Sequence, residues 1–458
     1  MKQRFTFLAL ILSISLHAQC WESAAGGSYH TVAISTDSTL WTWGDNGIGQ
    51  LGNGSFNGEL KPIQIDSTPV WRQVDANASA CIALKNDGTL WTWGDNGSGQ
   101  LGIGSSTQYS QIPVQVGTAN NWIAVSMGSA HVLAIKSDST LWAWGNNFYG
   151  GLGIGSNADK RSPVQIGTAH DWVAVAGGGF HSLALKSDGT LWAWGYNEYG
   201  QLGDATNVDK KTPIQVGTDN KWSKIAAGYT FSLALKSDGT IWAWGYNSNG
   251  QLGDGTTNDR NTPKKIGTGN TWNSIKTGSG HCLATKNDGT LWTWGYNLDG
   301  QLGLGNTNEQ YAPLKVGNAT NWQSAKGGGS HSMAIQTDGT LWTWGYGKYG
   351  QLGDGTILSR ATPAIVLCQT SSIRPVLLSD HLLKLFPTPA HDDLQVQWTG
   401  IVTQDFTFEI RNVLGALVFP TQTLLGNERV DVSALSPGVY YLTVKSAAGQ
   451  ITKQFVKQ

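Results

Sequence analysis

The sequence has almost no net charge: 30 lysines and arginines stand against 31 aspartates and glutamates, a formal -1, and no run of like charge occurs along it. A nucleic-acid-binding surface needs a basic patch or stripe, so none is supported by composition. Long apolar runs are equally scarce. One, Phe5 to Leu16, follows Lys2 and Arg4 and precedes the small residue Ala18, the layout of a secretory signal peptide and too short to span a bilayer. Cleavage after Ala18 would leave Gln19 as the new N-terminus. A rival reading makes Cys20 a lipidated cysteine, although Gln19 is a poor residue before one. No other segment reads as a transmembrane helix, so the mature protein is expected to carry no integral membrane segment.

What is abundant is tryptophan, and it is periodic. Trp-x-Trp-Gly recurs with its first Trp at 41, 91, 142, 192, 242, 292 and 342, a spacing of 50 or 51 residues. A second series at 21, 71, 122, 172, 222, 272 and 322 precedes each pair by about 20 residues, and together they hold 21 of the 22 tryptophans. Trp398 lies outside the array. Within a unit the apolar residues alternate over short runs, as in Ser182-Leu-Ala-Leu-Lys-Ser187 and Thr190-Leu-Trp-Ala-Trp194, which predicts strands. Asp188-Gly189 between them suits a tight hairpin needing positive φ. Blades 1 and 3 carry Asp37-Ser38 and Asp138-Ser139 instead, and those two turns are expected to adopt another type. Seven four-stranded units, each with an apolar face, can bury those faces by packing in a ring. The fold class is therefore all-β: a seven-bladed β-propeller, followed by a small β-sandwich.

The motifs Ala-Gly-Gly-x-x-His-Ser-Leu-Ala-Leu, Asp-Gly-Thr-Leu-Trp-x-Trp-Gly and Asn-x-x-Gly-Gln-Leu-Gly resemble the repeats of the regulator of chromosome condensation family, over about Trp21 to Val366. Members of that family are seven-bladed propellers. The array starts on a Trp strand and ends after Thr362-Pro-Ala-Ile-Val366, so the last strand is expected to pair with the first near Trp21 and to build one blade from both ends. Superposing repeats puts Cys368 on Thr118 and Cys20 on Asn121, the two sides of one hairpin loop. A Cys20–Cys368 disulfide could replace the missing loop in an oxidising compartment, contributing about 5 kcal/mol in chain-entropy terms; two free thiols are the alternative. Cys81 and Cys282 both align with Ser182 and read as buried thiols acting as small apolar residues.

After a linker at 369–378, Leu385-Phe-Pro-Thr-Pro-Ala-His-Asp-Asp-Leu394, Val430-Asp-Val-Ser-Ala-Leu-Ser-Pro-Gly-Val-Tyr-Tyr-Leu442 and the terminal Gln454-Phe-Val-Lys457 resemble the type A sorting domain of type IX secretion. The domain organisation read from the sequence is thus a signal peptide at 1–18, the propeller at 19–368 and a sorting domain at 379–458. The resemblance implies that the type IX machinery is a partner through residues 379–458, and that the protein is secreted from, or held on the outer-membrane surface of, a Bacteroidetes-type bacterium.

No catalytic constellation emerges. His30, His131, His181, His281 and His331 occupy one equivalent position per blade, with Ala80 and Phe231 in blades 2 and 5. Spread round a ring without a second ligand, they predict no metal site and no cofactor, but structural histidines bonding strand backbone. The repeated aspartates belong to turns, no pair of carboxylates can be nominated, and neither a nucleophile elbow nor a phosphate-binding glycine loop is present. The sequence reads as a non-enzyme. Tyr196, Tyr246, Tyr296 and Tyr346 recur and are expected to pack between blades, leaving Phe148, Tyr149, Tyr199 and Tyr349 as a ligand-facing rim. The expected function is binding or adhesion to an extracellular protein or glycan. The alternatives are inhibition of a secreted enzyme, an activity found in propellers that this chain resembles, and action on surface glycans. Nucleotide exchange on a small GTPase, the best-known activity of that family, is disfavoured by uniform spacing and by export.

Overall fold

In the first repeat, alternating apolar residues make four antiparallel strands: β1 (Trp21–Gly26), β2 (His30–Ser35), β3 (Leu40–Gly44) and β4 (Glu59–Asp66). The computed structural model describes residues 21–367, 383–398, 406–424, 428–446 and 449–458. The signal-peptide segment and the proposed Cys20–Cys368 pair lie outside them. Six further repeats form the same four-stranded sheet in chain order, so the described propeller has seven blades. The second strand of each blade is almost wholly buried, whereas the fourth is half-buried to exposed. A proline there (Pro163 and Pro213, for example) lacks a backbone donor and suits an edge strand.

Ring closure differs from the expectation. The last strand, Arg360–Val366, pairs with its own neighbour Leu341–Gly345, and β1 pairs with β2. Among the described residues no blade is shared between the ends of the array, because the array begins on an innermost strand and ends on an outermost one, which leaves every blade complete. The seam is closed by contacts between blades 7 and 1: Trp21 N–H donates to Gly339 O at 3.2 Å and Gly355 N–H to Leu60 O at 2.9 Å. The two glycine-free hairpins also differ from expectation. Ser38 and Ser139 have φ of 61° and 59°, beside 81° at Gly189, so they keep the glycine turn. Asp138 Oδ1 holds it, accepting from Thr140 N–H at 3.1 Å and Thr140 Oγ1 at 2.6 Å, as Asp188 does for Thr190. These bonds offset the roughly 1–2 kcal/mol that a left-handed L-residue costs.

Residues Gln369–Gln458 form a separate unit. A three-stranded sheet (Leu383–Phe386, Asp393–Trp398, Glu428–Asp431) and a four-stranded sheet (Leu417–Leu424, Phe406–Asn412, Gly438–Ser446, Gly449–Lys457) share one core. Leu394, Val396, Phe408, Ile410, Leu442 and Phe455 fill it, the arrangement of a β-sandwich.

Candidate functional site

Between blades, one carbonyl per junction organises a polar ladder. The second Trp of each Trp-x-Trp-Gly is fully buried and donates Nε1–H to a backbone carbonyl of the preceding blade: Trp244 to Gln201 O at 2.9 Å, Trp194 to Gly151 O at 2.8 Å, and Trp43 to Gln351 O at 2.9 Å across the seam. The same carbonyl takes a second hydrogen from the residue after the histidine position: Ser232 Oγ to Gln201 O at 2.8 Å, Ser182 Oγ to Gly151 O at 2.7 Å, Thr31 Oγ1 to Gln351 O at 2.9 Å. A carbonyl only accepts, so each hydroxyl has spent its hydrogen there. The histidine Nε2 facing that hydroxyl must then be the donor: His181 to Ser232 at 2.9 Å, His131 to Ser182 at 3.0 Å, His281 to Ser332 at 2.8 Å.

The histidines therefore bond the neighbouring blade's side chain, not strand backbone. Cys81 and Cys282 also do more than fill space. They stand in for the serine, donating to Gln50 O and Gln251 O at 3.4 and 3.2 Å, and Cys81 receives His30 Nε2 at 3.0 Å. Burial pushes His30, His181 and His281 down to about 3, and His131 and His331 down to about 4, so all five are neutral. A Cβ on Gly178 would lie 2.2 Å from the His181 ring. Where blade 2 replaces the histidine by Ala80, the corresponding glycine becomes Asn77 and the following blade carries Val132 instead of a hydroxyl. Among the described residues no group of three His, Cys, Asp or Glu could hold a metal ion.

The antiparallel order of each blade puts the loop between its first and second strands and the loop after its third strand on the same face. There, seven aromatic rings touch in series across blades 3, 4 and 5. Phe148 meets Tyr149 (4.8 Å between ring centroids), Tyr149 meets Tyr196 (4.5 Å) and Phe180 (5.4 Å), Phe180 meets Tyr229 (5.9 Å), Tyr196 meets Tyr199 (6.2 Å), and Tyr199 meets Tyr246 (4.9 Å). A second group joins blades 7 and 1, with Tyr29 at 4.7 Å from Tyr349 and 5.8 Å from Tyr346. Phe148 is 66% exposed, Tyr349 and Tyr229 45% each. Tyr149 and Tyr199 are half-buried. The expected division between packing and rim tyrosines is thus not sharp, since Tyr149 and Tyr199 pack on the next blade's Tyr196 and Tyr246. Tyr29, Phe180 and Tyr229 escaped sequence reading. Their signal was bulk at positions that other blades fill with Gly, Ser, Ala or Thr.

The loops carrying these rings are fixed. Buried Asn197 accepts Leu202 N–H at 2.9 Å and donates to Thr206 O and Val208 O at 3.1 and 3.2 Å, while Gln201 Oε1 accepts Tyr199 N–H at 3.0 Å. Tyr196 hydrogen-bonds Glu198, and burial with that bond raises its phenol well above the usual range. On the opposite face the tryptophan pairs of blades 2 to 6 are already occupied. Lys85, Lys136, Lys186, Lys236 and Lys286 each lie between two tryptophans, as Lys236 does at 4.6 Å from Trp222 and 3.8 Å from Trp242. Among the described residues no lysine or arginine stacks on the tyrosine face in this way.

Fold and site define a propeller of seven four-stranded blades joined by a repeated polar ladder. Comparison with known proteins agrees. Residues 168–383 match the RCC1-like domain, and residues 37–84, 87–135 and 138–185 match the regulator of chromosome condensation (RCC1) repeat. Residues 384–458 match the secretion system C-terminal sorting domain. The chain carries regulator of chromosome condensation repeats built as a propeller, with a C-terminal sorting domain behind them. It is 34% identical over 136 residues to the human probable E3 ubiquitin-protein ligase HERC6, a match covering 29% of this chain and 13% of that protein. The Arabidopsis thaliana ultraviolet-B receptor UVR8 is 30% identical over 150 residues, 30% of this chain and 32% of the receptor. The chain thus spans under a third of each of these relatives. Among solved structures, human WBSCR16 has a TM-score of 0.63 at 25% identity, covering 69% of this chain and 86% of that one. Prp20p of Saccharomyces cerevisiae, described with its binding to Gsp1p and histones, has a TM-score of 0.66 at 21% identity, covering 78% and 89%.

Proposed function

We propose that this protein is exported by the type IX machinery through residues 379–458 and acts outside the cell as a binding or adhesion propeller, holding an extracellular protein or glycan on its tyrosine face. The observation that carries this reading is the contiguous run of seven aromatic rings, whose loops after the third strands are pinned by Asn147, Asn197 and Asn247. Aromatic rings supply large contact area at low entropic cost, and a pinned loop loses little further freedom on binding. Phe148, Tyr149, Tyr199 and Tyr349 are the proposed contact residues, joined by Tyr29, Phe180 and Tyr229. The role requires no cofactor, no metal and no turnover.

The test presents the secreted protein to a glycan panel and to surface proteins of host and neighbouring cells, following binding and product formation together. Saturable binding that a Phe148→Ala/Tyr229→Ala variant loses would support the reading. Binding indifferent to these rings, or turnover of any glycan, would overturn it; a tight complex with one secreted hydrolase would make the protein an inhibitor.

A further inference from the structure

The seven first strands line the propeller axis, and their charges are uneven. They hold four cations (Arg72, Lys224, Lys276, Lys326) and two acids (Glu22, Asp75). The three lysines stand on consecutive blades, 5, 6 and 7. Asp75, Lys276 and Lys326 share one position within the strand, where blades 1, 4 and 5 carry alanine and so leave room on the axis.

Asp75 and Lys326 satisfy each other. Lys326 Nζ reaches past blade 1 to Asp75 Oδ1, and Asp75 Oδ2 accepts Met127 N–H at 2.9 Å. Lys224 donates to Asn273 O, and Arg72 to Trp122 O at 2.8 Å. Lys276 has no carboxylate within ion-pair distance among the described residues. It lines two openings. One, of about 110 Å³, is shared with Asp75 and Lys326 and runs to Tyr229 on the aromatic face. The other, of about 250 Å³, is shared with Glu22, Gln73 and Ser324. Surrounding protein and the Lys326 and Lys224 charges push Lys276 down to about 8, although Asp75 opposes this. The side chain nevertheless remains open to the channel. An ammonium facing the channel, flanked by like charge and without its own counterion among the described residues, gains from a bound anion.

We infer that the axial channel is an oxyanion site centred on Lys276, with Lys326 and Lys224 contributing to its field, for a carboxylate, sulfate or phosphate group. The group is either a free ion or the acidic end of a ligand seated on the tyrosine face, and the site stands whichever holds. Ser126 occupies the equivalent position in blade 3, so Lys276→Ser installs a residue that the repeat already accommodates.

The experiment titrates the full chain with sulfate, phosphate and acetate against chloride at constant ionic strength, reading the unfolding midpoint and the heat of binding. Glucuronate is compared with glucose in a parallel arm. The expected result is a saturable rise in midpoint for wild type, retained in Lys276→Arg and in the surface control Lys61→Ser, and lost in Lys276→Ser. Retention of the sulfate response in Phe148→Ala/Tyr349→Ala, neither of whose rings lines the openings beside Lys276, separates the channel from the rim, and a glucuronate response needing both Lys276 and the rings identifies the acid as part of a larger ligand. Equal responses in wild type and Lys276→Ser, or no saturable response to any oxyanion, would overturn the inference.

Discussion

His331 Nε2 lies 3.1 Å from Thr31 Oγ1, a contact between the last blade and the first across 300 residues of sequence. Thr31 passes its own hydrogen to Gln351 O, which also accepts Trp43 Nε1–H. The seam of the ring is thus the same ladder that joins His181, Ser232 and Trp244 between consecutive blades. Nothing special to the chain ends is added to it among the described residues.

Thr31→Val should strand the His331 donor and remove one hydrogen from Gln351 O. A loss of about 1–3 kcal/mol is expected in urea unfolding. The His331→Ala/Thr31→Val double variant should lose less than the sum of the singles, because their interaction is removed once. Additive losses would show that the two do not bond.

Acid should unfold the propeller through its histidines. Unfolded histidine titrates near 6.5, while the folded values are about 3 to about 4. Above 6.5 both states are neutral and the full stability is present. As pH falls from there toward 3, the unfolded state takes up protons that the folded state refuses, so stability drops at roughly 2 kcal/mol per histidine by pH 5. Urea midpoints measured from pH 7.5 to 5 should fall, and fall less steeply in His181→Phe, which copies Phe231 of blade 5. A midpoint unchanged over that range would contradict burial of neutral imidazoles.

Gly203 and Gly217 separate backbone strain from crowding. Both have positive φ, 74° and 62°, but a Cβ at Gly203 would lie 2.8 Å from the Trp244 indole while one at Gly217 meets nothing within 4 Å. Gly217→Ala should cost about 1 kcal/mol and Gly203→Ala roughly 2–4 kcal/mol, with altered near-ultraviolet circular dichroism from Trp244 in the second alone. Equal costs would mean that the indole yields without penalty.

Phe148 and Tyr149 divide binding from stability. Phe148 is 66% exposed and touches one ring, Tyr149, so Phe148→Ala should cost at most about 0.5–1 kcal/mol in unfolding while weakening ligand capture. Tyr149 packs on Tyr196 and Phe180, and its alanine variant should lose about 0.5–1.5 kcal/mol per ring pair as well as binding. Capture assays and melting curves on the same preparations decide between them.

The tryptophan period, the Asp-Gly hairpins and the alternating apolar runs made blades and their number legible, because burying one face of a repeated sheet leaves few ways to pack. The same regularity misled at the ends. A strand without a successor suggested a shared blade, whereas Arg360–Val366 completes its own sheet as its edge strand. Ser38 and Ser139 showed that an aspartate bond can hold a turn that glycine normally serves. Cys81 and Cys282 looked apolar because burial is readable from pattern, while the carbonyl they bond is not.

The candidate site was half legible. Tyrosines in variable loops could be picked out, but not that Tyr149 would touch Tyr196, nor that Tyr29, Phe180 and Tyr229 would join them from a different loop. Local pattern determined the strands, the turns, the repeat number and the identity of the C-terminal domain, since each depends on neighbours along the chain. Only the tertiary structure decided which proton each histidine carries, where the ring closes, and that Lys276 faces the axis without a counterion among the described residues. Those properties arise between blades, where partners on consecutive blades are 31 to 51 residues apart in sequence and are brought together only by the closed ring.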